Sequence, residues 1–193
     1  PLFNGLNMKG WVGNTTDYFA QDGMIVYKPA GENSMNVNTY TEKEFGNFIL
    51  RFEFKLTPGA NNGLGIRTPI HGNAAYVGME LQILDNEAGI YKDRLQPYQY
   101  HGSVYGVIPA KRGFLKPVGE WNYQEVQAIG NRIKVMLNGE VILDGDIAEA
   151  SKNGTETADH LQHPGLLNKS GHIGFLGHGK PLSFRNLRIK SLD

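Results

Sequence analysis

Apolar and polar residues alternate with a period of two along most of this chain, the pattern of strands that bury one face. The cleanest run is 48–56. Phe48, Leu50, Phe52, Phe54 and Leu56 share one side, and Ile49, Arg51, Glu53 and Lys55 share the other. Residues 121–129 and 132–137 repeat the pattern. Asn138-Gly139, between 132–137 and 140–143, is the strongest two-residue hairpin signal in the chain. Shorter runs fall at 24–27, 35–39, 61–67, 78–85, 103–107, 171–176 and 182–190. In the last of these the apolar side switches, which predicts a bulge near Asn186. The only helical stretch is a short one near Ile147–Ser151. About eleven strand candidates, divided by turns and with neither repeat nor linker, predict an all-β fold. Its economical form is two antiparallel sheets packed as one sandwich over residues 1–193.

The stretch Gly78–Asp85 carries chemistry as well as pattern. Met79, Leu81 and Ile83 point to the core, while Glu80 and Gln82 share the other face. At ~3.4 Å per residue, the carboxylate and the amide stand about 6.8 Å apart. They are either two solvated side chains on a half-exposed strand or the floor of a groove with Glu80 as acid or base. Upstream, Gly63-x-Gly65 lacks the third glycine and the following helix of a dinucleotide loop, so glycine inside a strand indicates close backbone approach or a bulge. His160-x-x-His163 has a spacing that suits metal ligands on a helical turn, but no third ligand is evident.

Composition narrows the classes. The chain has 193 residues and no cysteine, which removes thiolate nucleophiles, disulfides and cysteine-ligated metals. Nineteen basic residues balance nineteen acidic ones, so no net field favours nucleic acid. No apolar run approaches the ~20 residues of a membrane-spanning helix. The chain opens at Pro1 without an initiator methionine or signal segment, which reads as the result of processing or truncation.

Taken in order, several short pieces form a set: Leu2-Phe3-Asn4-Gly5 with Gly10-Trp11, Asn61-x-Gly63 with Ile66-Arg67, Glu80-x-Gln82-Ile83-x-Asp85, Tyr105-Gly106, Gly119-Glu120-Trp121-Asn122, Leu137-Asn138-Gly139, and Gly177-His178-Gly179 with Phe184-Arg185-Asn186. The set spans nearly the whole chain and resembles the 3-keto-disaccharide hydrolase family. Asn62 stands where that family usually has serine, and the loop 86–102 is particular to this chain. The resemblance implies a concanavalin A-like jelly-roll sandwich. It also implies a carbohydrate substrate and a location outside the cytoplasm: secreted, periplasmic or lipid-anchored.

A retaining glycosidase needs two carboxylates about 5–5.5 Å apart, and an inverting one about 6.5–9.5 Å. The strand 78–85 supplies one, because Gln82 and Leu84 follow Glu80 on its face and Asp85 is out of phase. A 3-keto sugar needs less. The ketone acidifies the C2 hydrogen, one base removes it, the C1 substituent leaves, and water adds back. The resemblance implies this elimination and hydration, with Glu80 as base, Gln82, Arg67 and Tyr105 as donors, and His178 as acid for the leaving group. Asp85, Trp121 and Arg185 complete the expected substrate-binding set. Each has a plainer alternative: Arg67 as an ion-pair partner of Glu80, His178 as a turn residue, Trp121 as core, Arg185 as a pin on the last strand. No cofactor is required, and a bound divalent cation and the oligomeric state stay open. Two other function classes stand beside this one: a carbohydrate-binding module or lectin with Trp121, Tyr105 and Tyr98 as stacking platforms, and a conventional glycoside hydrolase.

Overall fold

The structure, a computed structural model, describes residues 1–31 and 38–193. Among these residues twelve strands form two antiparallel sheets. The five-stranded sheet runs in the order β1 (Trp11–Gly13), β4 (Asn38–Phe45), β11 (Gly171–Gly177), β6 (Asn61–Thr68), β7 (Met79–Leu84). The seven-stranded sheet runs β10 (Glu140–Asp146), β9 (Arg132–Leu137), β8 (Trp121–Ile129), β5 (Phe48–Leu56), β12 (Leu182–Ser191), β3 (Met24–Tyr27), β2 (Tyr18–Gln21). This is the two-sheet sandwich that the alternation predicts and the jelly roll that the resemblance implies.

The inward faces make the core. Met79, Leu81 and Ile83 of β7, Leu64 and Ile66 of β6, and Ile173 and Phe175 of β11 meet the phenylalanine face of β5 and Val126, Val135 and Phe184 from its neighbours. Phe175 and Phe184 stack across the two sheets with ring centroids 3.7 Å apart, and Phe52 meets Phe175 edge-on at 6.1 Å. The hairpin at Asn138-Gly139 forms with both residues at positive φ, +52° and +96°, as a two-residue primed turn requires. The bulge near Asn186 is present: the β12–β5 register shifts between Arg185 and Arg188, and Asn186 takes φ +55°. A short helix, α2 (Ile147–Ala150), occupies its expected place.

Two local expectations differ, and a third lies partly outside the described residues. Residues 103–107 do not form a strand. Gly102 and Gly106, at φ +82° and +76°, turn the chain on either side, so Val104 alone bridges to Leu81 and to Ile108. A second short helix, α1 (Ala74–Val77), starts where the Asn73 side chain accepts a hydrogen bond from the Ala75 N–H. Of the run 35–39, Met35–Val37 lie outside the described residues, and Asn38 and Thr39 open β4.

Candidate active site

Glu80 and Gln82 face away from the core on β7, which pairs with β6 through Glu80↔Gly65 and Gln82↔Gly63. The outer face of this sheet is partly roofed. The N-terminal end of α1 rests on it through Ala74, packed with Tyr40 and Leu176. Between α1, the segment 91–99 and the strands lies a groove of about 180 Å³. Its floor is Asn61, Glu80, Gln82 and Leu84; its walls are Asn73, Ala75 and Tyr76, then Tyr91, Leu95, Gln99 and Tyr105, with His178 at the rim. That volume is below the ~300–1,000 Å³ typical of sites for drug-sized ligands, so the groove has room for a small group only.

Gly63 explains how Glu80 is placed. A Cβ built on Gly63 would lie 2.1 Å from the Glu80 Oε1 and 2.7 Å from its carboxyl carbon. The carboxyl group therefore lies across bare backbone, the close approach for which a strand gives up a side chain. Gly63→Ala should push the carboxyl aside and lower turnover about tenfold or more while the chain still folds. Steady-state kinetics beside a thermal melt checks this, and full activity in the variant would show that the present position of Glu80 is not needed.

The Glu80 side chain is 6% exposed and makes no hydrogen bond among the described residues. Among the described residues no lysine or arginine lines the groove. Burial without a compensating partner disfavours the charged form and pushes its pKa up to about 8. The donors around it are oriented. The Gln82 Oε1 accepts from the Ile83 N–H at 3.1 Å, which leaves its NH₂ for the groove. Gln99 accepts from the Gln96 N–H through Oε1 and donates through Nε2 to the Tyr105 hydroxyl at 3.0 Å, so the Tyr105 proton is free to point elsewhere. Tyr76 keeps its proton as well: burial raises its pKa, and the nearby Tyr105, Asp159 and Glu80 raise it further. His178 is exposed on one side, while the protein packed on the other draws its pKa below the ordinary histidine value. Near neutral pH it is therefore better suited to accept a proton than to act as the leaving-group acid its sequence position suggests.

Glu80, Gln82, Tyr105 and His178 thus share one groove, and the other four expected residues lie elsewhere. Arg67 takes φ +49° where β6 carries an extra residue against β11, and this break turns its side chain off the Glu80 face. Its guanidinium donates to the Gly46 carbonyl at 2.9 Å and the Gly130 carbonyl at 2.7 Å, tying the β4–β5 crossing between the sheets to the β8–β9 hairpin turn. It pairs with no carboxylate of the groove, so the expectation that it would hold Glu80 or its substrate is corrected. Asp85 is in phase with the core residues of β7; it accepts from the Gly59 N–H at 2.9 Å and closes a turn. Trp121 and Arg185 sit on the outer face of the opposite sheet, across the whole core. The Arg185 guanidinium lies 4.0 Å from the Trp121 ring centroid and bonds Glu53. Arg185 fulfils its plainer alternative as a pin on the last strand, whereas Trp121 is neither groove nor core but a half-buried ring on the outer face. Asn62 points inward and donates to the Tyr18 hydroxyl at 2.8 Å.

A larger hollow of about 660 Å³ lies on that opposite sheet. Its only acid is Glu53. Burial pushes Glu53 up, but hydrogen bonds from Asn186 and Arg185 outweigh this and hold it below its usual range. An engaged carboxylate of this kind is a poor base, so size does not decide between the two hollows and chemistry favours the smaller one. Among the described residues no group of three or more histidine, aspartate or glutamate side chains is placed to hold a metal ion. Sequence reasoning missed Asn61, Tyr76, Tyr91, Leu95 and Gln99 as groove residues; the capping Asn73 is the one local signal that could have exposed the wall carrying Tyr76.

Comparison with known proteins agrees with this placement of the chain among sugar-acting sandwiches. The model of a family described as the 3-keto-alpha-glucoside-1,2-lyase-like domain matches residues 1–190. A 3-keto-disaccharide hydrolase of Bacteroides thetaiotaomicron is 27% identical over 232 residues, covering 100% of this chain and 78% of that protein. A crystal structure from Parabacteroides distasonis, of a protein assigned to the glycosyl hydrolases, superposes with a TM-score of 0.84 at 28% identity, covering 100% of this chain and 98% of that one. A second from the same organism has a TM-score of 0.84 at 23% identity over 100% and 93% of the two chains, which speaks for the fold alone.

Proposed function

The chain belongs to the 3-keto-alpha-glucoside-1,2-lyase-like family, and from that premise we propose that it hydrolyses 3-keto glycosides by elimination and hydration in the Glu80 groove. The observation that carries the reading is a buried carboxyl group, the one acid of the groove and without a cationic partner among the described residues, held against Gly63 in a hollow of about 180 Å³. Such a carboxylate is a stronger base than an exposed one and is poised near working pH. Glu80 takes the proton from C2, and the electron pair forms the C1–C2 double bond as the C1–O bond breaks. The negative charge shared with the C3 oxygen is met by the Gln82 NH₂ and the tyrosine hydroxyls. The leaving group takes up a proton, which protonated Glu80 is able to return. Water then adds to C1 with His178 as acceptor of its proton, and C2 regains a hydrogen from solvent. The net reaction consumes one water and leaves a free 3-keto sugar.

This route uses one carboxylate, and among the described residues no second acid lines the groove. The experiment that tests it is turnover of a 3-keto glycoside in heavy water. Deuterium should appear at C2 of the released sugar in about one equivalent. Product without C2 deuterium would indicate displacement at C1, as in a conventional glycosidase. Binding of the glycoside without any product would mark a sugar-binding module instead.

A further inference from the structure

Behind the groove wall lies a buried histidine–aspartate contact that this mechanism does not use. The His163 Nε2 is 2.9 Å from the Asp159 Oδ2, and the two side chains are 1% and 7% exposed. Every other contact between a basic and an acidic side chain among the described residues keeps at least one partner in solvent. The other ring nitrogen of His163 faces the Ala75 carbonyl of α1 at 3.1 Å. Both neighbours, the Asp159 carboxylate and the Ala75 carbonyl, are acceptors. The His163 ring also packs against the ring of Tyr76, centroids 4.8 Å apart.

Asp159 reaches the opposite wall. Its backbone N–H donates to the Gly106 carbonyl at 3.0 Å. A Cβ on Gly106 would lie 2.3 Å from its carboxylate, so the residue next to Tyr105 is bare where Asp159 sits. The carboxylate accepts further bonds from the Thr157 hydroxyl and the Leu161 N–H. The following residues hold α1 from the same side, through the Gly165 N–H to the Tyr76 carbonyl at 2.8 Å and the Asn168 NH₂ to the Val77 carbonyl at 3.0 Å.

We propose that the Asp159–His163 pair is a clamp that sets the gap between Tyr76 and Tyr105, and so places both hydroxyls over the sugar held above Glu80. Burying such a pair is a poor route to stability, and a pair of apolar residues would often serve as well or better. What the clamp's fixed hydrogen bonds supply is position, here on two walls at once. Asp159 and His163 are positioning residues: neither lines the groove, and both act through the tyrosines. The inference rests on the reading of Glu80 as the base.

Non-additivity tests it. Asp159→Asn keeps the size of the side chain and acceptors for Thr157 and Leu161, and is expected to lower kcat on a 3-keto glycoside about tenfold with KM little changed. In a background carrying Tyr76→Phe and Tyr105→Phe, the same substitution should change kcat less than about twofold, because the groups it positions are gone. An equal loss in both backgrounds would mean a general structural role and would overturn the clamp. Should Asp159→Asn fail a thermal melt at assay temperature, His163→Gln and Gly106→Ala perturb the same contact and are read in the same way. Glu80→Gln is run in parallel. Full activity there removes the base and the clamp together, whereas loss of activity there with additive clamp variants overturns the clamp alone.

Discussion

Replacing Glu80 by glutamine should lower kcat on a 3-keto glycoside by about 10² or more, the contribution of a positioned general base. KM should stay within about threefold, since the amide keeps the shape that lies across Gly63 and the donors that hold the sugar are untouched. Loss in kcat without loss in binding is the signature of an interaction made only on the way to the transition state. Release of C2 hydrogen to solvent should fall by the same factor. Steady-state kinetics with C2-deuterated substrate checks both, and retention of full activity would move the base to His178, the other acid–base side chain of the groove besides its tyrosines.

The second large effect is in pH. Because burial raises Glu80 to about 8, kcat/KM should climb about tenfold per unit up to that pH and then level, so that activity at pH 6 is roughly a hundredth of the plateau. An exposed carboxylate, with its usual value of 4.5, would give a flat profile over the same range. Stability should move the other way. Folded Glu80 keeps its proton up to about 8, while the unfolded chain releases it near 4.5, so the unfolded state binds fewer protons between these values. The contribution of this group is fully present below about 4.5 and is lost as pH rises through about 8. Glu80→Gln should therefore melt higher than the parent at pH 9 by about 2 °C or more, with the gap closing at pH 5. An acid limb near 4.5, or a gap that does not depend on pH, would contradict the buried carboxyl as drawn.

Much of the fold is legible in the sequence because the long strands bury one face. Phe48 to Leu56 shows its register directly, and the switch at Asn186 announces its bulge. What fails to show is what period-two reading cannot carry. The strands at Trp11–Gly13 and Tyr18–Gln21 and the helix at Ala74–Val77 are too short for any period to build up. At the site, Glu80 and Gln82 are readable because they alternate with Met79, Leu81 and Ile83. Arg67 is misread for the same reason. Counting by twos from Gly63 and Gly65 puts it beside Glu80, but one residue at φ +49° breaks the count and sends its side chain to Gly46 and Gly130. Trp121 and Arg185 are misread because alternation gives a face and not which sheet owns it.

The groove floor and its outer wall come from different kinds of structure. Glu80 and Gln82 ride on a strand pinned to β6 along its length, whereas Tyr91 and Leu95 belong to a loop tied down chiefly by its own turns. That makes the protein modular for an engineer. A foreign segment grafted between Glu87 and Leu95 would meet whatever hangs off the sugar, and would leave the proton chemistry to the strand. The graft has a natural boundary at Gln96, where the capping bonds to Gln99 begin and the orientation of Tyr105 is set.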